Sequence, residues 1–213
     1  MARKRSEGHR ERKGPETKRA YISQAKIPLL SLSETIRLAQ SLYDDFAGKP
    51  TAPHQLAISV DVSPTSSNWR DLCGASIAYG LTEGGYNAQT ISLTDLGKRI
   101  IAPTVEGDDI LAKAEAARRP EIANAFFLRY NKAKFPQDKI AINVLAEMGV
   151  PRDRLDNVLG FLKQNGEFAG IIHQTKTGPF IAIDATIAPI ENKEVRSDVN
   201  SGHETLHAAS CPA

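Results

Sequence analysis

Residues 62–100 read VSPTSSNWRDLCGASIAYGLTEGGYNAQTISLTDLGKRI, and the order of signals within them decides the fold. Ser63 or Thr65 is placed to cap a helix, and Pro64 suits a first helical turn. The helix predicted from there covers about residues 65–79, with Trp69, Leu72, Cys73, Ser76 and Tyr79 along one face. Gly80 is a natural stop. Leu81 starts a strand, residues 83–86 turn, and residues 90–94 return as a second strand. Thr94 or Asp95 then opens a short helix running to about Ile101.

Working outward, Ser31 and Glu34 form a capping box ahead of a helix that reaches about Phe46. Its apolar positions Ile36, Leu38, Ala39, Leu42 and Phe46 recur at helical spacing, and Gly48 and Pro50 end it. A short helix over about residues 52–58 follows. Helix, helix, turn, helix and hairpin is the winged helix-turn-helix order. The order recurs further on. Residues 107–132 read as one or two connecting helices broken near Pro120, with Ile110, Leu111, Ala114, Ile122, Phe126 and Phe127 as apolar contacts. Residues 136–148 are a predicted helix carrying Ile140, Ile142, Val144, Leu145 and Met148. Pro151 begins another, striped by Leu155, Val158, Leu159 and Leu162, with Gly166 near its end. Residues 171–173 and 180–183 are predicted strands joined through Lys176, Thr177 and Gly178.

The expected fold class is therefore mainly α with small β-hairpin wings, as tandem winged helix-turn-helix domains. The expected division is a disordered basic arm over 1–20, a first winged-helix domain over 21–106 and a helical connector over 107–133. A second winged-helix-like domain follows over 134–187, and a disordered tail over 188–213.

Composition bounds the function. The chain has 213 residues, 41% hydrophobic and 24% charged, an ordinary globular balance. No apolar run approaches the roughly 20 residues that span a bilayer, and the basic N-terminus lacks the apolar core of a secretory signal. Cys73 in an apolar helix and Cys211 near the end do not make a disulfide scaffold, so a reducing, cytoplasmic location is expected. The net charge of +2 conceals an asymmetry. Residues 1–20 hold eight Lys and Arg against three Glu, and the remainder holds 19 basic and 22 acidic residues. Affinity for DNA comes mainly from phosphate neutralisation, so most of that capacity lies in the arm.

Two segments carry more than a generic pattern: residues 62–109 and residues 140–166, IAINVLAEMGVPRDRLDNVLGFLKQNG. Together they resemble a group of uncharacterised bacterial proteins with winged-helix-like N-terminal regions. Some of those relatives carry a C-terminal TIR-like, nucleotide-binding domain and look like bacterial immune effectors. The resemblance covers about residues 28–185. It implies fold, and a place in a defence system. A TIR-like domain would begin after residue 190, so its chemistry is not carried over to this chain.

Three function classes are open to such a chain. The first is DNA binding, by a regulator or by the DNA-sensing module of a defence protein. A recognition helix offers its N-terminal side chains to the major groove of double-stranded DNA, and Thr65, Ser66, Ser67, Asn68 and Arg70 are suitable. Hydroxyls hold phosphates, Asn68 suits adenine and Arg70 suits guanine. The accessory basic arm is Arg3, Lys4, Arg5, Arg10, Arg12 and Lys13. Against this, Asp71 stands beside Arg70, the wing offers Glu83 and no cation, and the Ser and Thr residues also serve as caps. The second class is a scaffold for protein–protein interaction or self-association, suited to the acidic body. The third, an enzyme, lacks a constellation. His203, Glu204 and His207 match the zinc-protease pattern H-E-x-x-H, but in a polar segment without a cleft. No cofactor or metal is expected. Gly84-Gly85 reads as a hairpin turn rather than a phosphate loop, and Cys73, Trp69 and Tyr79 read as core. His54 and His173 have no spaced partners. In the second unit Asp153, Asp156 and Glu167 offset Arg152, Arg154, Lys163 and Lys176, which reads as a solvated helix face.

Overall fold

The computed structural model describes residues 23–184. The elements run α1 (Leu32–Asp44), α2 (Pro53–Ser59), α3 (Ser67–Ala78), β1 (Thr82–Glu83), β2 (Ser92–Leu93), α4 (Asp95–Ile101), α5 (Asp108–Arg118) and α6 (Glu121–Arg129). They continue with β3 (Ala133–Lys134), α7 (Asp138–Glu147), a 3-10 turn (Arg152–Arg154), α8 (Leu155–Phe168), β4 (Ile172–Thr175) and β5 (Gly178–Ile181). The fold is mainly helical, with two small antiparallel sheets. Among the described residues no helix is long and apolar enough to cross a membrane.

Local chemistry accounts for most boundaries. Ser31 and Glu34 form both halves of the expected capping box on α1. Thr94 caps α4 through its hydroxyl. Helix α3 starts two residues later than expected. Its cap is Ser66, whose hydroxyl accepts the Trp69 N–H at 3.1 Å, and neither Ser63 nor Thr65 plays that part. The Ser66 N–H bonds the Ser63 carbonyl at 3.0 Å, so Pro64 lies in a tight turn outside the helix. Ile110 and Leu111, expected as core contacts, are exposed, and α5 buries Ala112, Ala114, Ala116 and Ala117 instead. These small side chains let α5 pack closely. Ile140 on α7 is likewise exposed, leaving Ala141, Val144 and Leu145 to face inward. Gly166 lies near the end of α8, as expected, with the Ile172 side chain where a Cβ would stand.

The sheets show what periodicity missed. Thr51, between α1 and α2, makes a reciprocal backbone pair with Ile91 (2.9 and 2.8 Å), adding a third segment beside β1 and β2. Strand β3, unforeseen, pairs with β5, and β5 with β4, in the order β3-β5-β4. Both halves thus repeat one order: helix, short extended segment, helix, helix, hairpin. Gly97 is required where α4 meets the first hairpin, because any Cβ there would overlap the Leu81 carbonyl.

A single hydrophobic cluster runs through both halves, with Trp69, Tyr79, Phe126 and Phe127 fully buried. Phe126 meets Phe127 edge-on with centroids 6.2 Å apart. A polar relay joins the halves within this core. The Leu32 N–H donates to Asn165 Oδ1 (2.8 Å), Asn165 Nδ2 donates to the Tyr79 hydroxyl (2.8 Å), and that hydroxyl donates to the Leu30 carbonyl (2.9 Å). Burial pushes the Tyr79 phenol well above its usual range, the Asn165 bond opposing the shift.

Candidate nucleic-acid interface

Helix α3 buries Trp69, Leu72, Cys73, Ala75 and Ser76, so its opposite face carries Ser67, Arg70, Gly74 and Ile77, three and four residues apart. Its N-terminal end is open. Thr65, Ser67, Asn68 and Arg70 are exposed, and Ser66 is half-buried. The five residues singled out in the sequence therefore share one end of one helix, but not one role. Ser66 is occupied as the cap and donates its hydroxyl to the Ser63 carbonyl at 2.7 Å. Thr65 Oγ1 meets Ser63 Oγ at 3.3 Å. Among the described residues, Ser67 and Asn68 have no side-chain partner.

Arg70 is held in place. Its Nη2 donates to the Thr65 carbonyl at 3.3 Å, and its guanidinium carbon lies 5.6 Å from the centroid of Tyr86 on the β1–β2 hairpin. At an exposed site such a cation–π contact contributes about 0.5–1 kcal/mol. It ties the helix to the hairpin beside it. Tyr86 was missed in the sequence; an aromatic in a Gly-rich hairpin with no core position to fill was its only signal. Ile77 also reaches the hairpin, near Gly85, and is 45% exposed.

Several cations of the described body are already matched. Arg99 bonds Asp108 (2.7 Å) and Glu115 (2.9 Å), holding the Asp108 carboxyl below its usual range, and Lys113 meets Asp109 at 2.8 Å. Among the described residues, Arg70, Arg152, Arg154 and Lys176 are four of the ten Lys and Arg that make no ion pair. The second unit is less open than the first. The outer face of α8 is engaged within the molecule, by Gln164 Nε2 on Ser33 Oγ (3.3 Å) and by Lys113 over the Phe168 ring (5.9 Å). Lys163 is paired with Asp138 at 2.7 Å and lies over Phe135.

Cys73 is buried, and loss of hydration pushes its thiol up to about 12. No cluster of metal-ligating side chains occurs among the described residues. The arm residues Arg3, Lys4, Arg5, Arg10, Arg12 and Lys13, the His203–His207 motif, Cys211 and the tail over 188–213 lie outside the described residues. Comparison with protein-family models, curated proteins and solved structures finds no match.

Proposed function

We propose that this chain is a non-enzymatic, cytoplasmic DNA-binding protein built from tandem winged helices, with α3 of the first unit as its reading helix. The two repeated helix–helix–hairpin units, each with an extended segment paired to its hairpin, support the winged-helix reading. The observation that carries the DNA reading is Arg70, exposed and preset between the Thr65 carbonyl and the Tyr86 ring at the open end of α3. A guanidinium so held loses little rotamer freedom on binding a base edge or a phosphate. Asn68 stands beside it with an amide suited to adenine. By the resemblance noted above, a regulator or the sensing part of a bacterial defence system is the fitting setting.

Fluorescence anisotropy on labelled duplex DNA tests this. Arg70→Ala weakens specific binding by about 1–3 kcal/mol, roughly 5- to 150-fold, with a smaller loss on non-specific DNA. Absence of any saturable, salt-sensitive binding by the full chain refutes it. A second reading is favoured by Ile77 and Tyr86, exposed beside Arg70. Tyr and Arg around an apolar residue are a composition enriched at protein interfaces. On that reading the same face docks a protein or a second copy, and Ile77→Asp removes the association that sedimentation measures.

A further inference from the structure

We propose that a groove at the α5–α6 junction binds a small organic oxyanion, a carboxylate or phosphate head on an apolar body. The groove has a volume of about 450 Å³, within the range of small-molecule sites. Leu111, Ala114, Glu115 and Arg118 are three and four residues apart, so they line it as one stripe of α5. Arg119 and Asn124 join Arg118 at its polar end. Ile183, just beyond β5, adds to the apolar wall of Leu111 and Ala114. Leu111 is exposed where its spacing predicts core, and this wall is what its side chain contributes to. Seven residues separate Leu111 from Arg118, about 10 Å along the helix, which leaves room for an apolar body beside the charged head.

The polar end carries charge that no carboxylate takes up. Arg118 is half-buried, and its Nε donates to a neutral acceptor, Asn124 Oδ1, at 3.4 Å. The Arg119 guanidinium has no hydrogen-bond or ion-pair partner among the described residues. It lies in space that a glycine leaves open: its central carbon is 2.7 Å from where a Cβ on Gly80 would stand. Glu115 is the one acid lining the groove, and Arg99 takes its carboxylate at 2.9 Å. With Arg99 and Asp108 counted, three guanidiniums meet two carboxylates here, whereas residues 23–184 hold 17 Lys and Arg against 18 Asp and Glu. A guanidinium fork matches two oxygens of a carboxylate or phosphate, and the Asn124 amide adds a donor. Helix C-termini favour cations in themselves. That does not account for a half-buried guanidinium turned to a neutral amide beside an open apolar wall. The site stands apart from the reading end of α3, because Gly80 is ten residues beyond Arg70, about 15 Å along the helix axis.

Phenyl phosphate and phenylacetate are titrated into the isotope-labelled full chain, beside their bare heads, inorganic phosphate and acetate, and beside uncharged benzyl alcohol. Amide and arginine Nε–H shifts are followed by NMR. The expected result is saturation by at least one ring-bearing anion, with shifts centred on Arg118, Arg119 and the Asn124 side chain. The tighter of the two identifies the head. Its bare head binds about tenfold more weakly or less, and benzyl alcohol causes no shift there. Arg118→Gln and Arg119→Gln each weaken binding about tenfold or more, and Arg119→Lys, which keeps the charge and loses the fork, falls between parent and Arg119→Gln. Leu111→Ala weakens the ring-bearing anion and leaves its bare head unchanged. Should Arg118→Gln lose the dispersion of a folded spectrum, the variants of exposed Arg119 decide. The inference falls if neither ring-bearing anion saturates by about 10 mM, or if ring-bearing and bare heads bind equally. It falls if shifts at Arg70, Arg152 and Arg154 match those in the groove, or if folded Arg119→Gln binds as the parent does. It falls as well if duplex DNA displaces the bound anion, which assigns the groove to the DNA surface.

Discussion

Replacing Asn165 by Leu removes the centre of the relay between the two halves while keeping the branched shape of the side chain. Two groups lose partners. The Leu32 N–H belongs to a residue with no exposed surface, at the first turn of α1, where no intrahelical acceptor is available. A buried donor left unmatched costs about 1–3 kcal/mol. The Tyr79 hydroxyl keeps its bond to the Leu30 carbonyl but loses the Asn165 N–H, a further contribution of about 1 kcal/mol. Leu fills the site, so no cavity penalty is added, and the expected loss is about 2–4 kcal/mol. For a chain of this length that lowers Tm by about 5–15 °C. Urea unfolding followed by the fluorescence of Trp69, the single tryptophan and fully buried, reads the change as a fall in midpoint at constant slope. Tyr79→Phe breaks the relay from its other end, and the double variant loses less than the two single losses added together. A loss below about 0.5 kcal/mol for Asn165→Leu, or strictly additive losses, refutes the view that this relay holds the halves together.

Ser66→Ala removes the cap of α3 and lowers stability by about 1 kcal/mol in urea unfolding, whereas Ser67→Ala, without a side-chain partner among the described residues, changes it by less than about 0.5 kcal/mol. Equal effects at the two positions sink the assignment of the cap. Cys73 resists iodoacetamide at pH 8 in the folded protein and reacts in urea, as mass spectrometry of its peptide reports. Its thiol is raised from 9.0 to about 12 on folding, so the neutral form it favours is intact below pH 9, and its contribution to stability falls as pH rises from 9 towards 12. Native labelling at pH 8, or stability that rises over that range, contradicts the burial.

The local order of the elements is legible in short stretches of sequence. The capping box at Ser31 and Glu34, the cap at Thr94, the amphipathic stripes of α1 and α8 and the hairpin after Gly80 are each written within a few neighbouring residues. Such signals are legible because backbone donors and apolar spacing are matched inside one segment. The position of Asn68 and Arg70 at the exposed start of α3 was legible for the same reason. Short pairings between distant residues were not. Thr51 with Ile91, and β3 with β5, involve one or two residues each, too few for any alternation to register. Only tertiary structure decided that Tyr86 braces Arg70, that Gln24 covers Gly74, and that the outer face of α8 turns against α1 and α5. It also decided that Ile110, Leu111 and Ile140 face solvent while alanines fill the core. Apolar spacing identifies a stripe, but which stripe is buried depends on how closely a neighbouring helix can approach, and that is a property of both partners.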